Sequence, residues 1–184
     1  MGYVYLYTGT GGGKTANALG LVLRMAGHGE KVVVIQFCKW RKDTGEYLIA
    51  KRLSDPYEIR QFGREVWLGK ESGTAKFGGK EFTVEAVTNR DRELAEAGLA
   101  FAAKVMQERK PALLVLDEVN LAAYWGLLSV QKILELLDNV PKETTVIMTG
   151  RFAPRALTDR ADFVNTVTEV KMPRKFELTK GIQY

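Results

Sequence analysis

Cysteine and histidine are almost missing: the 184 residues hold one of each, Cys38 and His28. A lone cysteine makes no internal disulfide and supplies no thiolate cluster, which excludes disulfide scaffolds and structural zinc modules. Cys38 reads as a small hydrophobe at a strand end, in keeping with a reducing compartment. His28, between Gly27 and Gly29 with no metal partner or nucleophile in the pattern, reads as a turn residue and not a catalyst. Long apolar runs are missing as well, since none approaches the ~20 residues needed to cross a bilayer. The start Met1-Gly2-Tyr3-Val4-Tyr5-Leu6 lacks a basic n-region and a cleavage site, and Leu6 stands where a myristoylation motif requires Ser or Thr. The expectation is a cytoplasmic protein without membrane association, whose first strand begins at Tyr3.

A dense basic stripe is also lacking. The net charge is +5 and the pI about 9.3, which raises nucleic acid as a partner. The basic residues are dispersed, however, and Lys39-Trp-Arg-Lys42 and Arg174-Lys175 are too short to track a nucleic-acid backbone. No nucleic-acid partner is expected; an anionic small ligand and surface solubility account for the charge.

What is present is an ordinary globular balance, 46% apolar and 27% charged, in a length that suits one domain spanning residues 1–184. Apolar or β-branched runs at Tyr3–Tyr7, Val32–Phe37, Tyr57–Phe62, Ala112–Leu116, Thr144–Met148 and Phe163–Val170 read as strands. Between them Thr15–Ala26, Gly45–Leu53, Val84–Arg109, Val130–Asn139 and Pro154–Asp159 read as helices. Strand and helix in alternation predict an α/β fold: a largely parallel central sheet of about six strands with helices on both faces. Phe62–Phe82 reads as a long Gly- and Lys-bearing loop.

In such sheets ligands collect beyond the carboxyl ends of the strands. After the first strand comes Thr8-Gly-Thr-Gly-Gly-Gly-Lys-Thr15, which departs from G-x-x-x-x-G-K-[ST] only in having Thr8 for the first glycine. Gly9, Gly11, Gly12 and Gly13, with Thr10 between them, let successive N–H groups converge on phosphate oxygens at the start of a helix that continues through Ala16. Lys14 adds a positive charge and Thr15 a hydroxyl for magnesium. A partner stretch, Leu113-Leu-Val-Leu-Asp117-Glu118, delivers two carboxylates at the end of a buried strand, where a hard cation bridging phosphates needs oxygen ligands. Together they predict a P-loop nucleotide-binding domain. The carboxylates leave two chemistries open: activation of water for hydrolysis, or simple retention of magnesium.

The flanking residues narrow the choice. Together with the loop, Arg24 before Gly27-His-Gly29, Val34-Ile-Gln-Phe-Cys-Lys39, Gly45-Glu46, Leu116-Asp-Glu-Val-Asn120, Thr149-Gly-Arg151 and Lys180-Gly-Ile-Gln-Tyr184 occur in the order found in P-loop ATP:corrinoid adenosyltransferases. The chain resembles that family over nearly its whole length, and the family's loop also begins with threonine. The resemblance implies a RecA-like P-loop fold and transfer of the 5′-deoxyadenosyl group of ATP to Co(I) of a corrinoid, with triphosphate leaving. It implies that ATP lies in the loop in reversed orientation, contacted by residues 9–16, Arg24 and Arg151. Lys14, Arg24 and Glu118 are then expected to serve catalysis, with Thr15 and Glu118 as magnesium ligands and Asp117 behind them. Trp67 matches the family's corrin-facing tryptophan; the aromatic two residues before it is Glu65 here, with Phe62 the expected substitute. The resemblance further implies a homodimer and an electron donor, such as a flavoprotein, to make Co(I). Some members carry a helix ahead of the first strand that reaches over the partner's site, a closure not expected here. Complete cobalamin, cobinamide and a cobyrinic acid derivative all stay open as acceptors. The competing functions are a P-loop ATPase or kinase and an ATP-dependent regulatory module; no arginine-rich lid or acceptor base for a kinase can be identified.

Overall fold

The computed structural model describes residues 2–53 and 55–182. Met1 and the last two residues of the Lys180–Tyr184 motif lie outside the described residues, as does Ser54. In chain order the elements are β1 (Val4–Thr8), α1 (Lys14–Gly27), β2 (Val32–Phe37), α2 (Gly45–Leu53), β3 (Tyr57–Phe62), β4 (Trp67–Gly69), β5 (Gly73–Phe77) and β6 (Lys80–Ala86). They continue with α3 (Asn89–Glu108), β7 (Leu113–Asp117), α4 (Val119–Tyr124), α5 (Val130–Asp138), β8 (Thr145–Thr149), α6 (Arg155–Arg160) and β9 (Phe163–Thr166).

Six strands form the central sheet in the order β3-β2-β7-β8-β1-β9, and every pairing in it is parallel. The expected α/β architecture is borne out. Because side chains alternate across a strand, the inner strands feed two cores, while the edge strand β9 is exposed throughout. Val33, Ile35, Phe37, Leu114, Leu116, Val146 and Met148 face α3, α4, α5 and α6. Val32, Val34, Leu113, Val115 and Ile147 face Ala18 and Val22 of α1 and Ala50 of α2. All six residues of β2 and all five of β7 are buried, which is why those strands read as continuous apolar runs. Parallel pairing also puts the carboxyl ends of β1, β2, β7 and β8 on one edge. The acidic strand was expected to neighbour the strand of the phosphate loop, but β8 lies between β1 and β7, so the loop and the acidic strand end are separated by one strand.

The segment read as a loop from Phe62 to Phe82, and as helix from Val84, is different. It forms a second sheet of three strands, ordered β4-β6-β5, and the helix begins only at Asn89. Gly78 and Gly79, with φ of 55° and 73°, make the tight turn between β5 and β6, where two successive positive-φ residues match the strands' twist. The α3 start is set by Asp91, whose carboxylate accepts hydrogen bonds from the Thr88 N–H and hydroxyl, a capping arrangement that Val84 could not provide. The last strand stops at Thr166 instead of Val170, and the short α4 was not expected. Among the described residues no helix is long and apolar enough to cross a membrane.

Candidate functional site

The phosphate loop leaves β1 at Thr8 and enters α1 at Lys14. Its two sides differ. A Cβ on Gly9, whose φ is 100°, would collide with the Val167 carbonyl, and one on Gly11 would sit 2.9 Å from the same oxygen. The Gly11 N–H donates to that carbonyl at 2.9 Å. Gly12 and Gly13 face open space, with no atom within 4 Å of where a Cβ would lie. Thus one side of the loop is braced by the chain after β9, and the other is a bare backbone concavity at a helix start, the form of an anion cradle. Thr10 and Ala16 are exposed beside it. Lys14 is buried and its ammonium donates to the Gly11 carbonyl at 2.6 Å. Burial, then the charge of Arg151, lowers its pKa, so an arriving anion would relieve a cation held in an unfavourable place.

Facing Thr15 is the end of β7. Asp117 Oδ1 accepts from the hydroxyls of Thr15 (2.8 Å) and Thr149 (2.6 Å). Its Oδ2 accepts from Gln36 Nε2 (2.9 Å) and Lys39 Nζ (2.7 Å). Burial opposes ionisation of Asp117, but Lys39 and the hydroxyl donors outweigh it and hold the pKa below the usual carboxylate range. Glu118, one residue on, has a left-handed φ of 62°, a strained setting for a side-chain-bearing residue. Its N–H donates to Thr149 Oγ1 at 3.0 Å, and its Oε2 is buried with no hydrogen-bond partner. Burial and the neighbouring Asp117 charge push its pKa up.

These donors fit a magnesium ion. Thr15 Oγ1, Asp117 and Glu118 are hard oxygens at one place, and Glu118 Oε2 is an orphaned buried acceptor of the kind a cation satisfies. Among the described residues no group of three or more His, Cys, Asp or Glu side chains could hold a metal. The cation would therefore need phosphate and water oxygens to complete its shell.

Three members of this site were missed in the sequence. Gln36, Lys39 and Thr149 each reach Asp117, and Lys39 Nζ also donates to Thr15 Oγ1 at 3.3 Å. All three stood in stretches that carried the family resemblance, without a role of their own; for Lys39 the signal was its place just past the end of β2. Gln36 pairs with Asp117 across the β2–β7 ladder, a neighbour relation that sequence alone does not show. Cys38, with φ of 58°, turns the chain there. Its thiol pKa is pushed up to about 12 by burial and by the charges of Glu118 and Asp91, which removes it as a nucleophile at neutral pH.

Of the other expected residues, Arg151 is exposed after β8 and close enough for its charge to act on both Lys14 and Glu118. Arg24 is exposed in the last turn of α1, roughly 15 Å along the axis from Lys14, and is not brought into this group. Trp67 opens β4, 43% exposed, with Trp40 and Phe82 edge-on to it at ring distances of 5.1 and 5.2 Å. These three rings, with Arg41, Lys42, Asp43, Leu48, Glu65 and Lys180, line an open cavity of about 770 Å³. Phe62 is not among them. Its ring packs against Phe101 at 6.0 Å and over Gly98 of α3, as part of the core on that face. The rings beside Trp67 are Trp40 and Phe82, neither of which sequence reasoning singled out for this cleft.

Comparison with known proteins agrees with this geometry. The sequence profile of the family described as ATP:corrinoid adenosyltransferase BtuR/CobO/CobP matches residues 1–184. A corrinoid adenosyltransferase of Pseudomonas aeruginosa is 32% identical over 187 residues, covering 100% of this chain and 84% of that protein. One from a Sinorhizobium species is 29% identical, covering 100% of this chain and 80% of the relative. One from Escherichia coli is 30% identical over 178 residues, covering 92% and 78% respectively.

Proposed function

The chain belongs to the ATP:corrinoid adenosyltransferase family, and from that premise we propose that it transfers the 5′-deoxyadenosyl group of ATP to the cobalt of a corrinoid, releasing triphosphate. The observation that carries this reading is a juxtaposition. Lys39 reaches into the phosphate site, while the next residue, Trp40, stands in the aromatic cleft against Trp67. A phosphate cradle and a broad cavity lined by three aromatic rings and several charged side chains thus share one short loop, which suits a large acceptor with a flat apolar face and polar edges held against a nucleotide.

In the reaction, Co(I) attacks the ribose C5′ with its electron pair. The C5′–O bond breaks, and the pair of that bond leaves with the triphosphate. No proton need be removed from a nucleophile, so the carboxylates have no general-base task. The developing negative charge falls on the leaving oxygen, and the open side of the loop at Gly12 and Gly13, with the charge of Lys14, is the part placed to receive it. Arg151 adds a positive charge at the same side. Magnesium, when bound by Thr15 and Glu118 with Asp117 behind them, would supply Lewis-acid stabilisation of the triphosphate. Asp117 orients the Thr15 hydroxyl, and Thr149 fixes Asp117 and the Glu118 backbone together. In the cleft, Trp67 supplies the apolar wall for the corrin, with Trp40 and Phe82 as its neighbours. Phe62, packed against Phe101 and Gly98 in the core, takes no part in this wall. The family resemblance makes Arg24 a nucleotide contact, but its exposed place at the far end of α1 from Lys14 gives it at most a minor share in binding ATP.

The proposal includes one domain over residues 1–184, acting as a cytoplasmic homodimer and supplied with reducing equivalents by an electron donor such as a flavoprotein. Its supports are the family resemblance and the chemical need for Co(I). The test is anaerobic incubation with ATP, magnesium and chemically reduced corrinoid. Adenosylated corrinoid with intact triphosphate is expected; ADP and orthophosphate as the only products would overturn the reading in favour of a phosphohydrolase.

A further inference from the structure

Lys39 has no task in the transfer as described, yet it holds the most central place in the nucleotide site. Its ammonium lies 2.7 Å from Asp117 Oδ2 and 3.3 Å from Thr15 Oγ1, between the groups from which a magnesium ion would be held. Asp117 is already engaged on both oxygens, by Thr15 and Thr149 on one and by Gln36 and Lys39 on the other. The charges balance as well: Asp117, Glu118 and Glu46 face Lys14, Lys39 and Arg151. A divalent cation approaching alone would meet no net negative charge and would be repelled by an ammonium at close range.

We propose that Lys39 is a positioning residue that serves as the resident cation of the nucleotide site, orienting Asp117 and Thr15 in the empty enzyme and admitting a divalent metal only together with a triphosphate. The inference rests on the magnesium site of the proposed function. It assigns the metal's dependence on nucleotide to one side chain. A triphosphate, carrying about four negative charges, reverses the sign of the site and gives the displaced ammonium phosphate oxygens to pair with.

Equilibrium dialysis of Mn2+ against the full chain, without corrinoid so that nothing turns over, tests it. Wild-type protein should hold manganese weakly alone and tightly with ATP. Lys39→Met should bind manganese without ATP about tenfold or more tightly than wild type, and Lys39→Arg, which keeps the charge, should behave as wild type. Circular dichroism and cooperative melting establish that the variants fold. If Lys39→Met does not fold, the wild-type comparison still decides: manganese bound as well without ATP as with it overturns the proposal. Equal affinity of folded Lys39→Met and wild type for manganese alone overturns it too. Failure of the underlying metal site has a separate signature. Glu118→Gln would then leave manganese uptake with ATP unchanged, whatever the Lys39 variants do.

Discussion

Lys14 and Arg24 carry the same charge on the same helix, yet the structure gives them opposite surroundings. Lys14 is buried against the Gly11 carbonyl at the mouth of the loop, and its depressed pKa marks a cation waiting for a counter-ion. Arg24 is exposed in the last turn of α1. A cation aimed at the place where charge develops acts on the transition state, whereas an exposed one is screened by solvent. Lys14→Ala is therefore expected to lower kcat/KM for ATP by about 100-fold or more, while Arg24→Ala stays within about threefold of wild type. Steady-state adenosylation at saturating corrinoid, with ATP varied, measures both. Comparable losses in the two variants would show that Arg24 reaches the nucleotide by a route not visible within one chain.

At the scale of elements, the small sheet is anchored by one fork. Arg64, between β3 and β4, donates Nε and Nη2 to Asp91 (2.8 and 3.0 Å) and Nη1 to Glu85 (2.8 Å), joining the Trp67 segment to β6 and to the start of α3. Burial raises the Asp91 pKa, but Arg64 and Thr88 outweigh burial and hold it below the usual value. A carboxyl depressed in the folded state contributes stability that is present above its unfolded pKa and is lost as pH falls through the folded one. Arg64→Ala leaves Asp91 buried and short of partners, and should destabilise the fold by about 2–4 kcal/mol at pH 7. Urea unfolding at pH 7 and near pH 3 should show wild type losing more stability on acidification than the variant; parallel losses would remove Asp91 as the titrating group. None of this small sheet was legible in the sequence, because β5 is exposed throughout and β6 is nowhere fully buried, leaving no apolar rhythm to read. The central strands were legible for the opposite reason, being buried on both faces. The phosphate loop and Asp117–Glu118 announced themselves by local spacing. Lys39, Gln36 and Trp40 did not, since their roles arise from β2 lying beside β7 and from the small sheet that brings Trp67 to the loop. The aromatic cleft so assembled makes its own prediction: Trp67→Ala and Trp40→Ala should each raise the KM for corrinoid several-fold, about 1 kcal/mol per ring contact, with ATP affinity unchanged. Equal loss of both substrates would instead indicate a packing defect.

Across the whole molecule, the chain after β9 links parts that the sheet alone would leave separate. The Val167 N–H donates to the Thr8 carbonyl at 2.8 Å, and the Val167 carbonyl accepts from Gly11, so the tail begins as a brace on the phosphate loop. It then crosses to the small sheet, where Phe176 sits edge-on to Phe77 at 5.2 Å and Leu178 occupies the space a Cβ on Gly78 would need. Farther on, it places Lys180 at the aromatic cleft. The brace consists of backbone hydrogen bonds close to the sheet, whereas the second attachment depends on side-chain packing. The two can therefore be separated by mutation. Phe176→Ala removes an aromatic pair of about 0.5–1.5 kcal/mol and should free the Lys180 end of the tail while leaving Val167 in place. The expected result is a KM for corrinoid raised about two- to tenfold, the range to which that energy converts, with ATP binding within twofold of wild type. Steady-state kinetics with each substrate varied in turn, together with ATP binding in the absence of corrinoid, measures the split. A matching loss of ATP affinity would mean that the tail moves as one piece and that the phosphate loop depends on its far attachment; an unchanged corrinoid KM would remove the tail from the acceptor site.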